Sequence, residues 1–228
     1  MPAYKGGVVR LDTKDKESVR KLPAQKHNLS YACDRILIAG PPGSGKSATA
    51  IQMVCRSAPI AEIYVLHGTP GTAEYECLTH TKLEKPLSAK EWAAESKKHG
   101  GKFLCCIVDD YQGCDCTKKE NADIRMLLRT CSSHMNILVV MTAHTLTNVP
   151  ATWRRCMSAF VIYRPQDMAT VPYLARQIGL STAHLRGIFK MLKTRGKHSA
   201  LHVEDNPPPG RARLRVDGEH EVILSDDD

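Results

Sequence analysis

The chain has 228 residues, a formal net charge of +8 and a pI near 9.0. Its length suits one α/β domain with a sizeable core and small appendages, and 42% hydrophobic with 25% charged residues is ordinary globular composition. No apolar run approaches the ~18 residues that a bilayer span requires. The odd count of nine cysteines, without a signal peptide, points to reduced thiols in a cytosolic or nuclear compartment rather than secretion. The basic balance fits a polyanion partner such as nucleic acid and equally a soluble basic protein.

Residues 1–32 are polar and lysine-rich around Val8-Val9, which predicts a strand and an irregular arm. Arg35–Ala39 is a short buried strand by its apolar run, and residues 48–56 have the composition of a helix. Between them Gly40-Pro41-Pro42-Gly43-Ser44-Gly45-Lys46-Ser47 matches G-x-x-x-x-G-K-[ST]. In that pattern the glycines let the backbone turn so that successive N–H groups face phosphate oxygens. The lysine reaches the β- and γ-phosphates, the serine hydroxyl ligates Mg²⁺, and the helix N-terminus adds partial positive charge. Strand, loop and helix in this order imply a nucleoside triphosphate site built on all eight residues.

Glu62–His67 reads as a second strand, ended by Gly68-Thr69-Pro70-Gly71. Residues 72–101 are polar, with one helix over 88–98 in which Ser88 caps and Glu91 stands three residues on. A run at 102–108 predicts a buried strand that delivers Asp109-Asp110, and 121–131 is helical through Ile124, Leu127 and Leu128. Further strands follow at 136–142 and Ala159–Tyr163. Strands alternating with helices predict a mostly parallel central sheet covered on both faces, a three-layer α/β P-loop NTPase architecture with its core at 33–165. Residues 166–228 complete it with a helical segment at 172–195, a hairpin over 211–224 and a disordered acidic tail.

A triphosphatase needs a carboxylate to hold the metal and another group to handle the attacking water. Asp109 is expected to hold Mg²⁺ through a water, with Ser47, and Asp110 to orient or deprotonate the nucleophilic water. A strand and a helix separate the phosphate loop from this pair in sequence, an ordering of additional-strand, RecA-like ATPases rather than nucleotide kinases. The strand at 136–142 leads to His144, placed either beside the γ-phosphate or as a satisfied polar residue. Arg154 is a candidate for stabilising transition-state charge, in its own subunit or a neighbour's.

The ordered segments G-P-P-G-S-G-K-S, C-I-V-D-D, S-H-M-N-I-L-V-V-M-T-A-H and V-P-A-T-W-R-R-C resemble the poxvirus-type genome-packaging ATPases of the FtsK–HerA superfamily, over residues 33–165. The family's polar sensor, usually glutamine, falls on His144, and its proline–arginine segment falls on Pro150 to Arg154. Ser133 stands before His134 where such proteins often carry arginine, so Arg129 or Arg154 must substitute. The resemblance implies an ATP- and Mg²⁺-dependent ring of five or six subunits, translocating double-stranded DNA into a viral capsid through its portal vertex, in host cytoplasm or nucleus. Other ring-forming nucleic-acid ATPases, such as a helicase or replication factor, are the alternative.

Three basic segments are candidates for contacting DNA phosphates: Lys97-Lys98 with Lys102, Lys118-Lys119, and 190–197. Residues 174–188 also have helix-turn-helix spacing, whose second helix presents His184, Arg186 and Lys190. A DNA-binding regulator switched by ATP is therefore a further reading. Cys105, Cys106, Cys114 and Cys116 lack paired C-x₂-C knuckles, and the first two alternate across a buried strand, so zinc is not expected.

Overall fold

The computed structural model describes residues 7–11, 19–21, 34–57, 60–68, 74–111, 116–205, 207, 212–218 and 220–224. The chain divides into two units, residues 28–159 and a second formed by 1–27 with 160–228. The acidic tail and the 69–71 turn lie outside the described residues.

The first unit is built on five strands: β3 (Arg35–Ala39), β4 (Glu62–His67), β5 (Thr81–Leu83), β6 (Leu104–Asp109) and β7 (Ile137–Ala143). They lie in the order β3-β7-β6-β4-β5 and every neighbouring pair is parallel. All residues of β6 and β7 are buried, which explains their unbroken apolar runs: a parallel strand covered on both faces has no solvent side to mark with polar residues. Parallel pairing forces crossovers, and their fixed right hand sorts the helices. The step from β3 to β4 places α1 (Lys46–Arg56) on one face. The return steps place α2 (Ala89–Lys98) and α3 (Lys118–Met126) on the other, giving three layers.

Local chemistry sets where these helices begin. Ser88 and Glu91 form a reciprocal capping box on α2, with Ser88 N–H donating to Glu91 Oε2 at 2.6 Å. Trp92 of α2 is buried and meets the Tyr64 ring edge-on, centroids 5.2 Å apart. A second box, Thr117 with Glu120, starts α3 three residues before the helix expected at 121. Beyond Met126 the backbone widens into a π turn at Leu127–Cys131 and closes in the short α4 (Ser132–His134). The expected 121–131 helix is thus two geometries joined. After β7, α5 (Ala151–Arg154) buries Trp153, whose indole N–H donates to Asn121 at 3.0 Å.

In the second unit, β1 (Gly7–Leu11), β2 (Val19–Lys21), β8 (Ala159–Tyr163), β9 (Ala200–Glu204), β10 (Leu214–Val216) and β11 (His220–Leu224) take the order β2-β1-β11-β10-β9-β8. Here β1 pairs parallel with β11, while β1–β2, β9–β10 and β10–β11 are antiparallel. The predicted terminal hairpin is β10–β11, turned by Asp217 and Gly218 at φ 55° and 74°. The helical segment expected over 172–195 is two helices, α6 (Val171–Ile178) and α7 (Thr182–Arg195). Gly179 ends the first at φ 66°, and the Ser181 hydroxyl caps the second by accepting from His184 N–H at 3.0 Å. A Phe189, Leu185 and Ile188 face of α7 is fully buried.

Candidate nucleotide site

The loop between β3 and α1 turns through left-handed glycines, Gly43 at φ 71° and Gly45 at φ 103°, which side chains with a Cβ rarely tolerate. It is fastened by Gly40 N–H to Ala143 C=O at 3.1 Å and Ser44 N–H to Pro41 C=O at 3.2 Å. Gly45 caps α1 without a side-chain hydrogen bond, and the helix has no acid in its first turn. Its first N–H groups are therefore left for an anion. Lys46 donates to Pro41 C=O at 3.2 Å. Burial pushes its ammonium below the ordinary lysine value, while the charges of Asp110, Asp109 and Glu74 oppose that shift.

Asp109, the last residue of β6, is 3% exposed. Its Oδ1 accepts from the Tyr75 phenol at 2.7 Å and the Thr142 hydroxyl at 2.5 Å, and its Oδ2 lies 2.9 Å from His67 Nε2. Burial, then the neighbouring Asp109 charge, drive the Tyr75 phenol far above its ordinary value, so it stays a donor. Asp110 follows in the left-handed region at φ 51°, a conformation that Asp and Asn adopt more readily than most residues. Its N–H donates to Thr142 Oγ1 at 3.0 Å and its Oδ2 stands 2.8 Å from His144 Nε2. Its Oδ1 is buried with no hydrogen-bond partner among the described residues. Gly68 N–H donates to Asp109 C=O at 2.8 Å, and a Cβ at Gly68 would lie 2.4 Å from Asp110 C=O.

These groups open on one cleft of about 440 Å³, lined by Pro42, Gly43, Gly45, Lys46, Ser47, Ala48, His67, Glu74, Asp109, Asp110, Thr142 and His144. The volume is in the range of small-molecule sites, roughly 300–1,000 Å³. The structure thus brings the loop, both aspartates and His144 together. Arg154 is not in the lining; its guanidinium donates to Leu146 and Val149 carbonyls, both at 2.7 Å. At the departure noted at Ser133, Arg35 donates to the hydroxyls of Ser133 and Ser132, at 3.0 and 3.3 Å.

Sequence reasoning missed His67, Glu74, Tyr75 and Thr142. His67 and Thr142 had a signal, since each sits at or near the end of a strand, where ligands gather in open α/β sheets. Glu74 and Tyr75 follow a turn-rich stretch and match no spacing. The strand that separates the loop strand from the aspartate strand also differs from the sequence order. It is β7, while β4 lies beyond β6. Cys105 and Cys106 are both fully buried in β6, and burial pushes the Cys106 thiol up to about 12; Cys114 lies outside the described residues.

No family model matches the chain, and no curated protein matches it by sequence. Among solved structures, the genome packaging NTPase B204 from Sulfolobus turreted icosahedral virus 2, in complex with ATP-γ-S, aligns at 14% identity, covering 85% of this chain and 99% of B204, with a TM-score of 0.55. B204 from Sulfolobus turreted icosahedral virus, a DNA-packaging ATPase, aligns at 14% identity over 84% of this chain and 98% of its own, TM-score 0.56. ATPases 2 and 3 of EssC from Geobacillus thermodenitrificans align at 15% identity over 90% of this chain and 43% of theirs, TM-score 0.53. At such identities the likeness is one of fold: the chain has the three-layer α/β P-loop NTPase fold with a mixed, mostly parallel sheet.

Proposed function

We propose that this chain is a Mg²⁺-dependent ATPase of the FtsK–HerA type, close in kind to poxvirus-type packaging enzymes, that drives double-stranded DNA into a viral capsid. The observation that carries the reading is the convergence of Lys46 and Ser47 with Asp109 and the Asp110–His144 pair on one cleft. The donor set fits magnesium, a hard cation that prefers oxygen: the Ser47 hydroxyl and the carboxylates of Asp109 and Glu74 all reach the same cleft. Ser47 and Asp109 would hold it, and the bound ion would neutralise charge on the β- and γ-phosphates.

The residues divide the remaining work. Backbone N–H groups within Gly43 to Ser47 cradle the phosphates, and Lys46 balances their charge. Asp110 takes the proton of the attacking water, while His144 steadies its Oδ2. His144 is thereby linked to the γ-phosphate position and to β7. Arg154, to serve as a finger in a neighbouring subunit of a five- or six-membered ring, must exchange two backbone acceptors for phosphate oxygens.

For the DNA partner, the structure favours one of the three basic segments. Lys98 pairs with Glu95 at 3.0 Å, and Lys118-Lys119 adjoin the Glu120 of a capping box. By contrast residues 171–199 contain no acid, and Arg186, Lys190 and Lys193 are all exposed. Their i, i+4, i+7 spacing sets them along one face of α7, and Lys197 continues the run past its end. A row of cations of this kind matches a phosphate backbone. Such a subunit would work at the site of virus assembly in the host cell, against the capsid or its portal.

The test is DNA-stimulated ATPase activity measured together with oligomer mass, for wild type and Asp110→Asn. Stimulation by duplex DNA in the assembled wild type is expected; a rate unmoved by DNA and by assembly sinks the motor. Strand separation in place of movement along intact duplex would redirect the reading to a helicase. The helix pair α6–α7 supports the regulator alternative only if one short duplex is bound specifically and Lys46→Ala leaves that binding unchanged.

A further inference from the structure

We propose that Thr142 is the positioning residue that sets both aspartates of the site at once, through a hydroxyl whose single proton has one place to go. The assignment rests on the nucleotide-site reading above, in which Ser47 and Asp109 hold the cation and Asp110 handles the attacking water. Thr142 acts through those two carboxylates rather than on phosphate or metal.

The sequence of β7 singles the residue out. Ile-Leu-Val-Val-Met-Thr-Ala is buried throughout, and Thr142 is its one polar side chain. A hydroxyl in such a strand destabilises the fold unless it is hydrogen-bonded, and valine would fill the same space without that cost. Thr142 is 2% exposed and bonded on both sides.

The direction of each bond follows from the chemistry of its partner. A threonine hydroxyl has one O–H to donate and lone pairs to accept with. The Asp110 backbone N–H, 3.0 Å from Oγ1, only donates, so the hydroxyl accepts there. Its proton is left for Asp109 Oδ1 at 2.5 Å, an acceptor when the carboxylate is ionised. The result is a directed chain from Asp110 N–H through Thr142 to Asp109. Each bond in such a chain polarises the next, and burial keeps competing water away.

Each aspartate gains something different. On Asp109 the Thr142 and Tyr75 hydroxyls both donate to Oδ1, which fixes the rotation of the carboxylate as outer partners of a metal-holding acid do. Asp110 follows in the left-handed region at φ 51°. Backbone of that kind persists only where its surroundings hold it, and the bond from its N–H to Thr142 is such a hold. From there Asp110 Oδ2 reaches His144 at 2.8 Å.

The place of β7 extends the consequence to the phosphate loop. This strand lies between β3 and β6, with Thr142 in register with Ile38. Three consecutive residues at its end then divide the contacts. The Thr142 side chain holds the aspartates, Ala143 C=O accepts from Gly40 N–H at 3.1 Å, and His144 meets Asp110. Loop and carboxylates thus share one reference point, and the hydroxyl is the part of it that reaches β6.

The experiment compares Thr142→Val, which keeps the shape and loses the hydroxyl, with Thr142→Ser, which keeps the hydroxyl. Mn²⁺ is titrated, with detection by electron paramagnetic resonance, into full-length protein saturated with a non-hydrolysable ATP analogue. Thr142→Val should raise the Mn²⁺ dissociation constant and lower kcat, each about 10- to 100-fold, the range for partners that orient a metal ligand. Analogue affinity without metal should hold, the Asp110 amide should exchange its hydrogen faster, and Thr142→Ser should restore all three losses. Wild-type Mn²⁺ affinity and kcat in Thr142→Val overturn the assignment. So does equal damage in the serine variant, which would trace the effect to packing of the methyl group. Loss of metal-free analogue binding in Thr142→Val also overturns it, since the loop rather than the aspartates would then have depended on the hydroxyl. A wild type that binds neither analogue nor Mn²⁺ removes the nucleotide-site reading itself, an outcome separate from those read on the variants.

Discussion

The two units use their sheets for opposite ends. In residues 28–159 all five strands run parallel, so their C-terminal ends lie on one edge. Side chains following β3, β4, β6 and β7 can therefore meet there: Lys46, His67, Asp109 and His144 come from four connections and line one cleft. The sheet of the other unit is largely antiparallel, which sends successive strand ends to opposite edges. The surface proposed for DNA in that unit is instead a helix face, where Arg186, Lys190 and Lys193 are exposed. Parallel pairing thus concentrates chemistry at one edge.

If the division of labour is right, variants in one unit should leave the other's activity alone. Lys46→Ala should produce the largest effect, raising the dissociation constant for ATP at least about 100-fold, a loss expected of a buried charge on phosphates. Duplex affinity by fluorescence anisotropy should hold; a joint loss would break the comparison. Asp110→Asn should lower kcat by about 10²- to 10⁴-fold, the range for a general base, with analogue binding retained. Asparagine is chosen because it tolerates the left-handed backbone at this position. Trp153→Ala removes a fully buried ring and its bond to Asn121, and should cost about 3–5 kcal/mol in denaturant unfolding.

On the other unit, reversing Arg186, Lys190 and Lys193 to glutamate should flatten the slope of log K against log salt by roughly three, about 0.9 per phosphate contact. ATP hydrolysis without DNA should be unaffected. The smallest effect sharpens the helix starts. Hydrogen bonds from Ser88 and Thr117 hold Glu91 and Glu120 below the ordinary glutamate value. A depressed folded-state value means stability present above the unfolded pKa of about 4.3 and lost as pH falls through the folded one. The double variant Glu91→Gln, Glu120→Gln should therefore show a flatter acid limb in thermal melts below about pH 4.5.

What was legible in the sequence was local. The phosphate loop, the Ser88 cap and the aspartates at the end of an apolar run each depend on residues a few positions apart. The Thr117–Glu120 box was equally readable, and the T-x-x-E spacing is its signal. Gly179 likewise marked the break between α6 and α7, since a glycine within a helical pattern often ends it. What could not be read was pairing at a distance. That β7 rather than β4 separates β3 from β6 depends on strand order, to which no short window gives access. Tyr75 reaches Asp109 across 34 positions, and Ser47 reaches Glu74 across 27. Asp109 itself was singled out by type and position, but its contacts with Tyr75, Thr142 and His67 are a property of the packed site.

Gly68 ends β4 with its backbone against the Asp110 carbonyl. A single methyl group there has no room unless Asp110 moves, and Gly68 is not among the residues that line the cleft. Gly68→Ala would therefore be an uncoupling substitution, sparing nucleotide affinity while detuning hydrolysis. On the proposed ATPase reading, one added carbon at a position outside the cleft lining would give a nucleotide-loaded form whose hydrolysis is slowed.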